Sequence, residues 1–140
     1  MSERPEQGVL DTSALIDLAD LDIETLPLKP AITAITLAEL SVGPHVARSE
    51  NERAARQAHL QQAEADFDPL PFDAAAARAF GRVASSLRQA GREPAAGAYD
   101  ALIAATALSR GLPVFTANTA DFEGIEGLAV YEVRRIAPPD

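Results

Sequence analysis

The chain has 140 residues, the length of one domain, with 47% hydrophobic and 24% charged residues, the balance of an ordinary globular protein. It contains no cysteine, which excludes a disulfide framework, thiolate metal centres and a cysteine nucleophile. Twelve basic residues stand against 21 acidic ones, a net charge of −9, so a basic coat is excluded as the means of holding nucleic acid, whereas metal-assisted cleavage of it is not.

Residues 1–7 read as a polar tail without an apolar signal region, and the longest nearly apolar stretch, Ala101 to Leu108, is too short to span a bilayer. The expectation is a cytoplasmic protein with no membrane partner. Gly8-Val9-Leu10 is a short apolar run ending at Asp11, consistent with a buried strand. Thr12 or Ser13 can cap a helix from Ala14 to about Ala19. Residues 20–30 carry two prolines and read as a loop. Ala31 to Ile35 is rich in β-formers and is expected to be a second strand. Thr36 then opens a helix that stops near Gly43-Pro44.

Ser49 to Ala65 is made of good helix formers. Between Asp68 and Phe72 two prolines flank Leu70, which leaves room only for a short edge strand. Asp73 caps a helix from Ala74 to Ala90, closed by Gly91. Its Ala76, Phe80, Val83, Ala84 and Leu87 recur at three- and four-residue steps and mark a buried face. Gly91 to Gly97 is a loop. Ala98 to Arg110 is a helix apolar almost all round, hence buried, and Gly111 with Pro113 ends it. Val114 to Thr116 and Leu128 to Tyr131 are the third and fourth strands, and residues 136–140 are expected to fray. Strands alternating with helices predict an α/β domain over residues 8–135, a parallel sheet of four to five strands flanked by helices.

Ligands of such sheets bind beyond the carboxyl ends of the strands. Asp11 ends the first strand, Glu39 lies in the first turn after the second, Asp100 starts the buried helix, and Asn118 and Asp121 follow the third strand. Each has a plain structural reading. Asp11 can begin a turn, Glu39 can close a capping box with Thr36, Asp100 suits a helix start, and Asn118 and Asp121 suit a short turn. Their joint placement at one sheet edge is what points to chemistry. Converging carboxylates oppose one another's ionisation, and a divalent cation relieves that. Mg²⁺ or Mn²⁺ prefers oxygen ligands, activates water and holds a phosphate oxygen, which makes phosphodiester hydrolysis the expected reaction. No phosphate-binding glycine loop or G-x-S-x-G elbow is present. His45 and His59 read as solvated. A phosphoaspartate enzyme is disfavoured, because Ser13 stands two residues after Asp11 and the one lysine, Lys29, is in a loop.

Four ordered stretches resemble the motifs of PIN-domain ribonucleases: Val9 to Leu15, Thr33 to Leu40 with Gly43 following, Tyr99 to Ala107, and Pro113 to Phe122. The likeness runs from Gly8 to Tyr131. Size and motif wording are most similar to VapC, the toxins of type II toxin–antitoxin pairs. The resemblance implies a PIN fold, cleavage of single-stranded RNA with Mg²⁺ or Mn²⁺, dimerisation, and inhibition by a VapB antitoxin whose tail lies in an apolar groove. It maps the family's acids onto Asp11, Glu39 and Asp100, with Asp11 and Asp100 as direct metal ligands and Glu39 direct or through water. The fourth acidic position, two residues after Thr116, is Asn118; Asp121 is the alternative. Thr12 and Thr116 are expected to support the acids. Leu15, Leu18, Leu37 and Leu40 either line the groove or belong to the core. Two other functions remain: a catalytically dead PIN-like module that binds RNA or protein, and an RNA-processing nuclease without an antitoxin.

Eleven of the twelve basic residues are arginine. Arg48, Arg53, Arg56, Arg78, Arg82, Arg88 and Arg92 crowd the middle of the chain. They read either as solvated helix faces paired with nearby acids or as contacts to RNA phosphates.

Overall fold

A computed structural model describes residues 4–137 of the chain. Residues 1–3 of the expected tail and 138–140 of the expected frayed end lie outside the described residues. Four strands, β1 (Gln7–Leu10), β2 (Lys29–Ala31), β3 (Val114–Thr116) and β4 (Val130–Glu132), form one all-parallel sheet in the order β2-β1-β3-β4. Five α-helices connect them: α1 (Thr12–Ile16), α2 (Ala34–Val42), α3 (Glu50–Asp66), α4 (Ala74–Gln89) and α5 (Ala98–Ser109).

Alternation along the central strands builds two cores. Val9 and Val114 face one side and pack with Ala79, Val83 and Leu87 of α4 and with the small residues of α5. Leu10 and Phe115 face the other side and pack with Ala14, Ile32, Leu40 and Ala63. A parallel sheet buried on both faces gives the short continuous apolar runs of β1 and β3. The periodic face of α4 is as expected, and α5 is buried through Ala101 and Ile103 to Ala107 because alanines let it lie close to the sheet.

Several element boundaries differ from expectation. Gln7, placed in the tail, already pairs with Lys29 in β1–β2. The second strand is Lys29–Ala31, not Ala31–Ile35. Thr33 stays extended, and its hydroxyl accepts the Thr36 N–H at 3.2 Å, so Thr33 caps α2 and draws Ala34 and Ile35 into the helix. Thr36 therefore does not cap, and the Thr36–Glu39 capping box does not exist. Asp11, not Thr12 or Ser13, caps α1, which ends at Ile16 before a 3₁₀ turn over Leu18–Asp20. β4 begins at Val130 rather than Leu128. The Asp68–Phe72 segment supplies only one bridge, in which Leu70 receives from Ala34 N–H and donates to the Ile32 carbonyl. Pro30 fits β2 because β2 is the outermost of the four strands, where a missing N–H costs no ladder bond on its open side.

Gly8 is required by close approach. A Cβ built there would lie 2.4 Å from Cε1 of Phe115, a buried ring stacked on Tyr131 at 5.1 Å between centroids. Gly8→Ala is expected to destabilise the protein by about 1–3 kcal/mol, read as a lower urea midpoint with unchanged slope.

Candidate active site

β1 connects to β2 on one side of the sheet, while β3 lies on its other side, so the β1–β3 boundary is where the strand order reverses. Asp11 leaves β1 at this crevice. Its backbone N–H donates to the Phe115 carbonyl at 3.2 Å, which fixes where the side chain starts. One carboxylate oxygen, Oδ1, accepts from Ala14 N–H at 2.9 Å and Ser13 hydroxyl at 3.2 Å. The other, Oδ2, accepts from the Thr116 hydroxyl at 2.6 Å, across 105 residues of chain. Asp11 is 3% exposed. Burial raises its pKa above the ordinary aspartate range; the bonds from Thr116, Ala14 and Ser13 oppose that rise, and the charge of Asp121 adds to it.

Glu39 projects from the second turn of α2. The Thr12 hydroxyl donates to its Oε1 at 2.6 Å and sits 2.9 Å from the Thr36 hydroxyl. A hydroxyl has one proton, so with Thr12 donating to Glu39 the buried Thr36 must donate to Thr12. The three groups form a directed chain ending on the carboxylate. Burial raises the Glu39 pKa, Thr12 opposes, and the Asp11 charge raises it further.

Asp100 is in the first turn of α5, after a 3₁₀ turn over Pro94–Gly97. Its pKa is pushed up to about 6, first by burial, then by the charges of Asp121, Asp11 and Glu39, with Arg92 opposing. The charges acting on Asp100 come from three other segments of the chain, two of which are tied at the site by the Thr116–Asp11 and Thr12–Glu39 bonds. Asn118 and Asp121 belong to the 3₁₀ turn Thr119–Phe122 and its first flank. Asn118 N–H donates to the Thr116 hydroxyl oxygen at 3.0 Å, and its side-chain amide donates to Asp121 Oδ1 at 3.2 Å. The charge of the fourth segment is therefore carried by Asp121, and Asn118 braces it.

The donor set is all oxygen and mostly carboxylate, with the charge of Arg92 opposing on Asp100. That suits a hard divalent ion, although among the described residues no group of three or more histidine or acidic side chains is placed to hold a metal ion by itself. An ion that keeps several of its waters needs only one or two direct carboxylates, and bare carboxylates repel one another.

Sequence reading missed Thr36 and Ser13 as supports, and gave Arg92 only as a solvated helix face or a contact to RNA phosphate. Thr36 was hidden by its resemblance to a helix cap. Of the arginines, Arg53 pairs with Glu50 and Arg56 with Glu52, as solvated helix faces should.

Beside the site an apolar groove of about 300 Å³ runs between α1 and α3, lined in part by Leu15, Leu18, Leu40, Ala63 and Phe67. It adjoins a second hollow that reaches Thr12 and Glu39. Leu15, Leu18 and Leu40 serve both the core and the groove; Leu37 lines neither hollow.

The PIN-domain family model matches residues 8–128. The chain is 41% identical over 139 residues to Ribonuclease VapC5 of Mycobacterium tuberculosis, covering 97% of this chain and 100% of that protein. It is 31% identical over 129 residues to Ribonuclease VapC1 of Rickettsia felis, covering 89% and 95%. Its fold is similar to a chain in the crystal structure of VapBC-5 of Mycobacterium tuberculosis, a member of the VapBC family of toxin–antitoxin systems. The TM-score is 0.80 and the identity 40%, over 91% of this chain and 99% of that one.

Proposed function

Because the chain belongs to the PIN-domain family and, within it, to the VapC ribonucleases, we propose that it is a divalent-metal-dependent endoribonuclease and the toxin of a toxin–antitoxin pair. One observation supports this reading most: at the reversal of strand order Asp11 is bonded by Thr116 of β3 and Glu39 by Thr12 beside Asp11, and Asp100 feels the charges of Asp121, Asp11 and Glu39. Independent helix caps have no reason to meet there.

In this reading Asp11 and Asp100 hold Mg²⁺ or Mn²⁺ directly, Glu39 does so directly or through water, and Asp121 completes the negative charge. The ion, when bound, supplies a Lewis acid for a phosphate oxygen and lowers the pKa of water. The protein's own part is positioning. Thr116, Ser13 and the Ala14 N–H fix both oxygens of Asp11, so its carboxylate spends no freedom on ordering. Thr36 through Thr12 does the same for Glu39. The water that attacks the phosphodiester needs no protein nucleophile. The substitution of Asn118 at the fourth acidic position favours a dead binding module only if nothing replaces its charge; Asp121, held by Asn118, does so.

The groove beside the site suits the apolar side chains of an antitoxin segment, and its continuity with the hollow at Glu39 gives that segment a route to the acids. The chain with an antitoxin gene adjacent to its own would be regulated this way; an RNA-processing nuclease would have none.

The test is cleavage of single-stranded RNA by the purified protein with Mg²⁺ or Mn²⁺ and with chelator. Absence of both cleavage and Mn²⁺ binding overturns the reading. Thr116→Val keeps the shape of β3 but removes the donor to Asp11. We expect it to lower Mn²⁺ affinity and cleavage about 10–100-fold, measured by calorimetric titration and single-turnover rates.

A further inference from the structure

We propose that Arg92 is a positioning residue that bolts the Asn118–Asp121 turn onto the end of α4 and so keeps Asp121 beside the other acids. The inference rests on the ribonuclease reading only for its kinetic consequence. The turn is weakly held by itself. It is four residues long, Ala117 to Asp121 are all exposed, Asn118 caps no backbone N–H, and its internal bonds, Asp121 N–H to Asn118, Glu123 N–H to Ala120 and the Asn118 amide to Asp121 Oδ1, are 3.1, 3.3 and 3.2 Å. What fastens it comes from outside. Phe122 is buried below it in the core shared with Leu87 and Ala101. From the other side, one guanidinium nitrogen of Arg92 donates to the carbonyls of Ala120 at 3.0 Å and Glu123 at 2.6 Å, bracketing Asp121.

The bolt itself is rigidly mounted. α4 ends in a left-handed glycine, Gly91 at φ 78°, whose N–H donates to the Arg88 carbonyl, while Arg92 N–H donates to the Leu87 carbonyl at 2.8 Å. This paired arrangement is the helix stop that satisfies the last carbonyls, and it fixes the direction in which Arg92 leaves the helix. The turn's far end fits against the same stop: Gly124 has φ 86°, and a Cβ there would lie 2.9 Å from Cβ of Ala90. Two contacts, Arg92 with Ala120 and Glu123 and Ala90 with Gly124, thus seat the acid-bearing turn on one helix end. Arg92 and Asp121 line the same small hollow, which places the bolt beside the acid-bearing turn. An arginine already committed to two carbonyls is poorly placed to serve as a free phosphate contact.

The experiment compares wild type with Arg92→Ala and Arg92→Lys by amide hydrogen exchange, Mn²⁺ titration and single-turnover cleavage at several salt concentrations. For Arg92→Ala we expect faster exchange at Asp121 and Glu123 with β3 unchanged. We also expect Mn²⁺ affinity and kcat lowered about 10-fold, with KM and the salt slope of RNA binding unchanged. Arg92→Lys, which keeps a donor, should recover part of each. Unchanged exchange at Asp121 and Glu123 overturns the proposal. So does a raised KM with a salt slope reduced by about 0.7, the mark of a lost phosphate contact on single-stranded RNA. If wild type cleaves no RNA, the ribonuclease reading fails, while exchange and Mn²⁺ titration still decide the role of Arg92.

Discussion

Asp11→Asn is expected to reduce RNA cleavage on the order of a thousand-fold and to abolish tight Mn²⁺ binding while the protein stays folded. The two effects separate because Asp11 has two jobs. As the cap of α1 its Oδ1 accepts the Ala14 N–H, and asparagine caps as well as aspartate does. The amide would then face Thr116, whose hydroxyl can rotate to accept rather than donate. The variant also removes a buried charge that burial already disfavours, so thermal stability in the absence of metal should hold or rise. Asp11→Ala, by contrast, should cost both activity and about 1 kcal/mol of stability through the lost cap. Circular dichroism, thermal melts and single-turnover cleavage measure these together. Full activity in Asp11→Asn would remove Asp11 from the mechanism.

Acidification should switch off metal binding across a window set by Asp100. Its carboxyl titrates near 6, so at pH 5 only about a tenth of it is ionised and available to a cation. Cleavage and Mn²⁺ affinity should fall about tenfold between pH 7 and pH 5. Stability without metal runs the opposite way. The folded-state pKa of Asp100 lies above its ordinary 3.8, so the folded protein binds the proton more tightly than the unfolded chain. Its contribution is fully present below that ordinary value and is lost as pH rises through about 6. Asp11 and Glu39 are shifted in the same direction. Melting temperatures should therefore show a large rise on adding Mn²⁺ at pH 7.5 and little at pH 5, with chelator reversing the rise. A metal-induced rise that is the same at both pH values would contradict a carboxylate site.

The parallel α/β architecture was legible because β1 and β3 are buried on both faces and therefore read as unbroken apolar runs, and because Asp73, Gly91 and Gly111 punctuate their helices in the expected way. The misplacement of the second strand has a local cause. Ala31 to Ile35 has β-forming composition, but the hydroxyl of Thr33 and the partnering of Leu70 with Ile32 and Ala34 end the strand early. That long-range pairing leaves no local mark in the sequence. The same error produced the false capping box, since moving the cap from Thr36 to Thr33 carries Glu39 into the second helical turn and frees its carboxylate. The five candidate site residues were named from strand ends and helix starts, which the sequence marks locally. The division of labour between Asn118 and Asp121, and the support from Thr36 and Arg92, depended on which groups meet in space, which spacing along the chain does not encode.

The bond between Thr116 and Asp11 closes a loop of more than a hundred residues, and it has a consequence for synthesis. A chain emerging from the ribosome exposes Asp11 early but lacks the hydroxyl that orients it until β3 has been made and inserted between β1 and β4. Pairing over so long a stretch of chain is slow, because the loop must close before its contacts reward the closure. On the ribonuclease reading, the site is therefore completed only once β3 exists, more than a hundred residues of synthesis after Asp11.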